Sequence, residues 1–413
     1  MHRLTRSKKK HKHARTDINQ QPESKRNSSL VFAHMPDNKK HHYVPRFYLK
    51  RFSKDGKSIG LYNFSNALKV AEANLKNQCY KDYFYGKEKT VESALGDIEG
   101  QASTLFSMID EIGSLPPPGS PEHLWMLFYV LIQYGRTKYS ADALNEMHDQ
   151  MFKHTFKEKI ESELEEIDLN DFIIGIKDVS QLVLVMTTQN YPILIDLEYK
   201  LLVNRTDVEF ITSDNPVVLY NQIFSFRKFG SNTGLATKGL QIFFPISPDK
   251  IILLYDSDVY RVGSEKKIAI EILNNKDISN INTLQACSCY ENIYFRDEKL
   301  NVQALHRKAK PYMRSIKAGI KIFPQYDNKY QKSEIMMSYR EDIRIDLNLS
   351  FISLRKSAKK WRSTFQKMRS QPVRVVRNQK LCDDHEEFVK KVDEGKYSAA
   401  DFFVFLDEKH EKH

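Results

Sequence analysis

The sequence predicts an α+β fold: a helical first half packed on a mainly antiparallel sheet from the second half, with a C-terminal helical appendage. Three observations carry this. Apolar residues recur at helical spacing between about residues 90 and 189, and short β-branched and aromatic runs bounded by turn residues fill about 195–295. Past residue 330 a basic amphipathic pattern returns. Helices and strands segregated along the chain argue against a doubly wound sheet, in which they would alternate.

Residues 1–38 read as a disordered basic arm, polar and without periodicity ("RSKKKHKHART", "NQQPESKRNSS"). Order is expected to begin near Tyr43. In "HHYVPRFYLKRFS" (41–53), Val44, Phe47 or Tyr48, Leu49 and Phe52 fall on one side of a short helix or a bent strand. A turn at Asp55-Gly56 and a strand from Ser58 to Phe64 follow. Val91, Leu95, Ile98, Ala102, Leu105, Met108 and Ile109 then mark one face of a helix. "SLPPPGSPEH" breaks it, and Ser120-Pro121 is a cap and first-turn pair for a helix over 121–137 that is apolar nearly all round. Helical stretches are expected over 138–165 and near 170–189.

Strands are expected in "LEYKLLVN", "VEFITS", "PVVLYN", "LQIFFPIS" and "KIILLYD", then a helix near 270–286 and a strand at "ENIYF". "LRKSAKKWRSTFQKMRSQP" reads as a helix with Leu354, Trp361, Phe365 and Met368 on its apolar side. The domain organisation expected is therefore a basic arm over 1–38, an α+β core over 39–330, and a basic helix with an acidic tail over 331–413.

Charge is unevenly placed. The net charge is +11, yet residues 1–57 alone carry +12 and residues 354–380 carry +10, so the rest is acidic. Basic flanks on an acidic core suit an anionic partner gripped by appendages, with nucleic acid the expected one; a solvated tail and helix face explain the same numbers. No apolar run reaches membrane-spanning length, the nearest being "LWMLFYVLIQY" at 124–134. The basic N-terminus lacks the apolar core of a secretory signal. Cys79, Cys287, Cys289 and Cys382 lack metal-knuckle spacing, and strand alternation would put Cys287 and Cys289 on one face. Buried free thiols and a reducing, cytoplasmic location follow as expectations.

Three polar constellations stand out. His41 and His42 are poised for proton transfer or metal ligation, but adjacent residues of a strand point to opposite faces, so one at most enters a given site; both also fit the solvated arm. "FITSDNPVV" (210–218) ends a strand in Ser213-Asp214-Asn215-Pro216, where Asp214 can hold a metal, orient a histidine, accept a proton, or simply lock a turn. Glu92 and Glu99 share a helix face, as do Gln133 and Arg136 on a helix almost devoid of charge. Pairing of Glu92 or Glu99 with Arg136 is the simplest solution, either as a buried bridge or as the floor of an anion site. Phosphate-loop, nucleophile-elbow, zinc-helix and kinase patterns are absent from the sequence.

"HHYVPRFYLKRFS", "VESALGDIE", "IQYGRT", "FITSDNPVV", "FPISP" and "INTLQACSCYENIYF" occur in this order over roughly 39–300. The series resembles the bacterial domain-of-unknown-function 4238 family. The resemblance implies that His41, His42, Pro45, Glu92, Glu99, Gln133, Arg136, Ser213, Asp214, Asn215 and Pro216 are pattern positions, and it brings no chemistry with it.

The expected function is a nucleic-acid-directed, nuclease-like phosphodiesterase acting in defence or as a toxin. His41, His42 and Asp214 would be catalytic, and Glu92 and Glu99 would hold magnesium or manganese. Arg136, Gln133, Arg46 and Asn215 would bind substrate. The alternative is a non-catalytic nucleic-acid or protein-binding module whose polar motifs are structural.

Overall fold

The computed structural model describes residues 39–163, 168–227, 232–328, 331–367 and 375–411. The basic arm expected over 1–38 lies outside them. The N-terminal part runs β1 (Lys40–His42), α1 (Arg46–Lys50), β2 (Ser58–Asn63), β3 (Leu68–Asn74) and β4 (Tyr80–Asp82). Four helices follow: α2 (Lys89–Ile112), α3 (Pro121–Gly135), α4 (Lys138–Glu163) and α5 (Val179–Thr188). Then come β5 (Glu198–Asn204), β6 (Thr212–Ser213), β7 (Val218–Tyr220), β8 (Gln241–Ser247), β9 (Lys250–Tyr255), β10 (Tyr260–Val262) and β11 (Ala269–Ile272). Next are α6 (Asn275–Ser288), β12 (Asn292–Phe295), α7 (Val302–Ala309), β13 (Gly319–Asn328) and β14 (Gln331–Tyr339). β15 (Ile352–Leu354), α8 (Lys356–Lys367), α9 (Gln379–Asp393) and α10 (Phe402–Glu411) complete the chain. The fold is α+β.

A five-stranded sheet in the order β11-β5-β9-β8-β7 is antiparallel except for the β11–β5 pair. A second, antiparallel sheet has the order β3-β2-β12-β6. Period-two alternation divides β8 between two cores. Ile242, Phe244 and Ile246 pack in one cluster with residues of α1, α2 and α3, while Phe243 packs with α6 and α7. All seven residues of β8 are buried, as a central strand covered on both faces requires. Its Pro245 sits at a register shift against β9, where a missing N–H does least harm.

Local signals explain the helices that carry the site. Ser120 Oγ accepts the His123 N–H and Pro121 occupies the first turn of α3, while α2 stops at Gly113 with φ 68°. The Asp55-Gly56 turn forms, with Asp55 accepting the N–H groups of Lys57 and Ser58 at 2.8 Å.

Some expectations fail locally. The helix expected near 270–286 starts later, because 269–272 is β11, paired in parallel with β5. Cys287 lies in α6 and Cys289 caps it, so their common burial is helical; Cys79 is buried too, but Cys382 is only partly so, against the expectation of four buried thiols. Leu354 belongs to β15, which pairs with β10, and not to the basic helix. Trp361 packs 5.9 Å from Phe224; Met368 and the Phe365 side chain lie outside what the structure describes. Ile343, Ile345, Leu347 and Leu349 are buried in the α6–α7 core. No helix among the described residues is long and apolar enough to cross a membrane.

Candidate functional site

Burial of an arginine organises the candidate site. Arg136 caps the C-terminus of α3 and is 1% exposed, so its charge must be met inside the protein. One Nη2 donates to Glu99 Oε1 at 2.8 Å and to the His42 carbonyl at 2.8 Å. Its Nε donates to the Tyr85 hydroxyl at 3.3 Å, and that hydroxyl donates to the Arg136 carbonyl at 3.2 Å. One guanidinium thus ties α2, β1 and the segment after β4 to the end of α3. One turn earlier, Gln133 Nε2 donates to the Tyr43 carbonyl.

The two histidines face opposite ways, as alternation demands. His41 is buried and stacked on Tyr85, and its Nδ1 accepts the Tyr85 N–H at 3.2 Å. The neutral ring therefore carries its hydrogen on Nε2. His42 lies 5.9 Å from the Tyr80 ring. Burial pulls its pKa down to about 4; a hydrogen bond to the Lys76 backbone opposes this, and the charges of Arg46, Arg136 and Lys40 reinforce it. Its Nε2 has no partner, so Nδ1 is the nitrogen that meets Lys76. Arg46 itself is exposed.

Eleven buried side-chain polar atoms among the described residues lack a hydrogen-bond partner, and five belong here: His42 Nε2, Glu92 Oε2, Tyr129 OH, Gln133 Oε1 and Arg136 Nη1. Such atoms are rare because each costs about 1–3 kcal/mol, so five of the eleven in one part of the fold set it apart from ordinary packing. Tyr129, Gln133 and Arg136 recur at helical spacing on α3. Glu92 and Glu99 do the same on α2. Burial raises the Glu92 pKa, with His41 and Arg136 opposing and Glu99 adding to the rise. Glu99, and not Glu92, makes the direct ion pair.

The backbone is strained beside this site. Of the four described non-glycine residues with positive φ, Cys79 (51°) and Tyr83 (52°) bracket β4, the strand that pairs with His41 and His42. A third, Asp178 (53°), opens α5, whose Ser180 and Gln181 hold the Phe84 and Tyr85 carbonyls. Left-handed geometry costs each about 1 kcal/mol or more and persists where the surroundings enforce it.

Asp214 and Asn215 belong to a neighbouring network. Asp214 Oδ1 accepts the Tyr290 N–H at 2.8 Å, and Oδ2 accepts those of Glu291 and Asn292 at 2.7 and 2.9 Å. Burial pushes this carboxyl up to about 6 against the pull of the three amides. Asn215 Nδ2 donates to Ser288, and Gln285 Nε2 donates to Ser213 Oγ at 2.7 Å. Tyr43 joins the two networks: its carbonyl meets Gln133, while the charge of Asp214 helps to raise its hydroxyl pKa after burial and Cys79.

The structure therefore brings His41, Glu92, Glu99, Gln133 and Arg136 together, joins His42 to them through its carbonyl while its ring turns to Tyr80 and Lys76, leaves Arg46 exposed, and sets Asp214 and Asn215 in the adjoining turn. Tyr85 and Tyr129 complete the site without having been singled out in the sequence. The spacing of Tyr129 from Gln133 and Arg136 was the available signal, masked by the apolar helix around it. No group of three or more His, Cys, Asp or Glu side chains among the described residues is placed to hold a metal ion.

No curated protein and no solved structure matches the chain. One family model does, "Protein of unknown function (DUF4238)", over residues 40–299, a span that contains both polar networks. The chain belongs to the DUF4238 family.

Proposed function

We propose that this protein is a nuclease-like phosphodiesterase acting on nucleic acid, with its reaction at the polar cluster around Arg136. The observation that supports this most is the set of five unpartnered polar atoms, which combines an anion-binding donor, an imidazole and a carboxyl. The free Arg136 Nη1 and the Tyr129 hydroxyl suit the charge that develops on a phosphoryl group. His42, neutral at pH 7, suits a general base: its Nε2 takes the proton of the attacking water while the new P–O bond forms. Glu92, its pKa raised by burial, suits the acid that protonates the leaving oxygen as the old P–O bond breaks. Glu99 keeps Arg136 in place. The basic residues of 1–57 and 354–380 suit sequence-independent phosphate contacts.

One observation favours a second reading, a non-catalytic module. Arg136 binds four segments together, and the unpartnered atoms are closed to solvent, as in a structural hub filled by water. Purified protein incubated with DNA and RNA, with magnesium, with manganese and with chelator, separates the two. Under the phosphodiesterase reading His42→Ala abolishes degradation without changing the melting temperature. Degradation equal in wild type and His42→Ala, or none in wild type under any condition, leaves the hub.

A further inference from the structure

A cavity of about 690 Å³ lies where α8 meets the turn between β9 and β10, within the range of about 300–1,000 Å³ usual for ligand pockets. Trp361, Val259 and Ala358 give it apolar walls, and Lys238 and Arg355 give it two cations. Backbone hydrogen bonds pin both sides. The Lys238 N–H donates to the Val375 carbonyl at 2.9 Å, and the Arg355 N–H donates to the Val259 carbonyl at 2.9 Å. Arg355 Nε donates to the Ser257 carbonyl at 2.6 Å, which fixes the guanidinium at the mouth. Most of the lining is half-buried or exposed, so the cavity is open to solvent.

Its charges are available to a ligand. Lys238 pairs with Asp258 at 3.3 Å, with the two side chains 24% and 74% exposed, and Arg355 Nη2 meets the exposed Glu265 at 3.2 Å. Exposed pairs of this kind contribute little and exchange readily for another anion. Lys238 Nζ also lies 6.0 Å over the half-buried Trp361 ring. An anion alone would use the cations and leave the indole idle, and an apolar ligand would do the reverse. An anion carried beside a flat ring uses both, and a nucleotide has that form: bases of any sequence stack on aromatic side chains, and Lys and Arg meet phosphate. Positive charge continues along α8, which holds five Lys and Arg and no acidic residue, with Lys356, Lys359 and Lys360 exposed.

We infer that this cavity binds a nucleotide unit, its base against the Trp361 indole and its phosphate met by Lys238 and Arg355. The unit is a free nucleotide or one residue of a single strand whose next phosphates follow α8. The wall from Arg355 onward lies beyond the 40–299 span of the family. The inference gives the phosphate contact proposed for residues 354–380 a defined place and needs no reaction at Arg136.

Tryptophan fluorescence of the full chain tests it. The chain has two tryptophans, so Trp125→Phe leaves Trp361 as the reporter. This protein is titrated at constant ionic strength with a nucleoside monophosphate, a DNA single strand, its duplex and inorganic phosphate. Saturable quenching is expected from the monophosphate or the single strand, and none from phosphate or from the duplex, whose bases are paired. Quenching by the monophosphate alone assigns a free nucleotide, and quenching by the strand alone assigns nucleic acid; either sustains the inference. Lys238→Gln, which keeps the reporter, is expected to weaken the quenching ligand at least about fivefold. Trp361→Leu, with its melting temperature verified, is expected to weaken it at least about fivefold by calorimetry. Quenching by neither ligand, equal quenching by inorganic phosphate, or unchanged affinity in both variants overturns the inference. The two ideas fail separately: quenching in a protein that degrades neither DNA nor RNA keeps this cavity and removes the phosphodiesterase, and degradation without quenching does the reverse.

Discussion

Removing the Glu99 carboxylate tests whether Arg136 depends on its ionic partner. The Arg136 side chain is 1% exposed and that of Glu99 is 28% exposed, with 2.8 Å between them. Breaking a buried pair from one side costs about 3–5 kcal/mol, because the remaining charge stays in a poor solvent. Two features move this pair to the lower end. The His42 carbonyl and the Tyr85 hydroxyl remain as acceptors, and the partial exposure of Glu99 lets water enter the vacated space. A cost of about 3 kcal/mol follows for Glu99→Ala. Unfolding entropy scales at about 2.1 cal/mol/K per residue, or roughly 0.9 kcal/mol/K for this chain, so the melting temperature should fall by about 3 °C. Calorimetric scans of wild type, Glu99→Ala, Arg136→Met and the double variant measure it. The double variant should lie well above the sum of the singles, since it leaves no unpaired charge. Glu298→Gln, which removes an exposed partner of Lys54, should leave the melting temperature unchanged. A Glu99→Ala protein that melts with wild type would refute the reasoning: the guanidinium would then be solvated.

Three further outcomes are expected. His42 titrates near 6.5 in the unfolded chain and near 4 in the fold, so the unfolded state binds the extra proton between these values. His42 stability is complete above about 6.5 and is lost as pH falls towards 4; His42→Gln should flatten that part of a denaturation-versus-pH curve, and an unchanged slope would place the ring in water. Asp214→Asn places an amide donor or a lone oxygen against three backbone N–H groups, and denaturant titration should show a loss of about 2–4 kcal/mol; an unchanged midpoint would mean the turn does not need the carboxylate. Nucleic-acid binding should weaken steeply with salt, and removing residues 1–38 should lower the slope of log affinity against log salt; a slope that deletion leaves untouched would remove the arm from the contact.

Much of the frame was legible because its signals are local. Ser120-Pro121 marked the start of α3, the apolar spacing from Val91 to Ile109 marked α2, and Asp55-Gly56 marked the turn before β2. What was missed depends on distant partners. β11 looks helical until β5 lies beside it in parallel. The left-handed backbone at Cys79 and Tyr83 leaves no trace in residue type, because neither is glycine or asparagine. Charge economy on α3 singled out Gln133 and Arg136, since a lone arginine in an apolar helix demands a partner. Tyr129 escaped the same logic because most of its surface is ordinary aromatic core, packed on Trp125 and Phe106.

High-resolution crystallography of the free protein tests most directly whether the unpartnered atoms around Arg136 are met by a ligand or solvent. Ordered solvent or a bound small molecule within about 3 Å of Arg136 Nη1, bridging to Gln133 Oε1 or Tyr129 OH, is the expected result. Direct pairing of these atoms with one another, or a dry and collapsed space between α2 and α3, would contradict it.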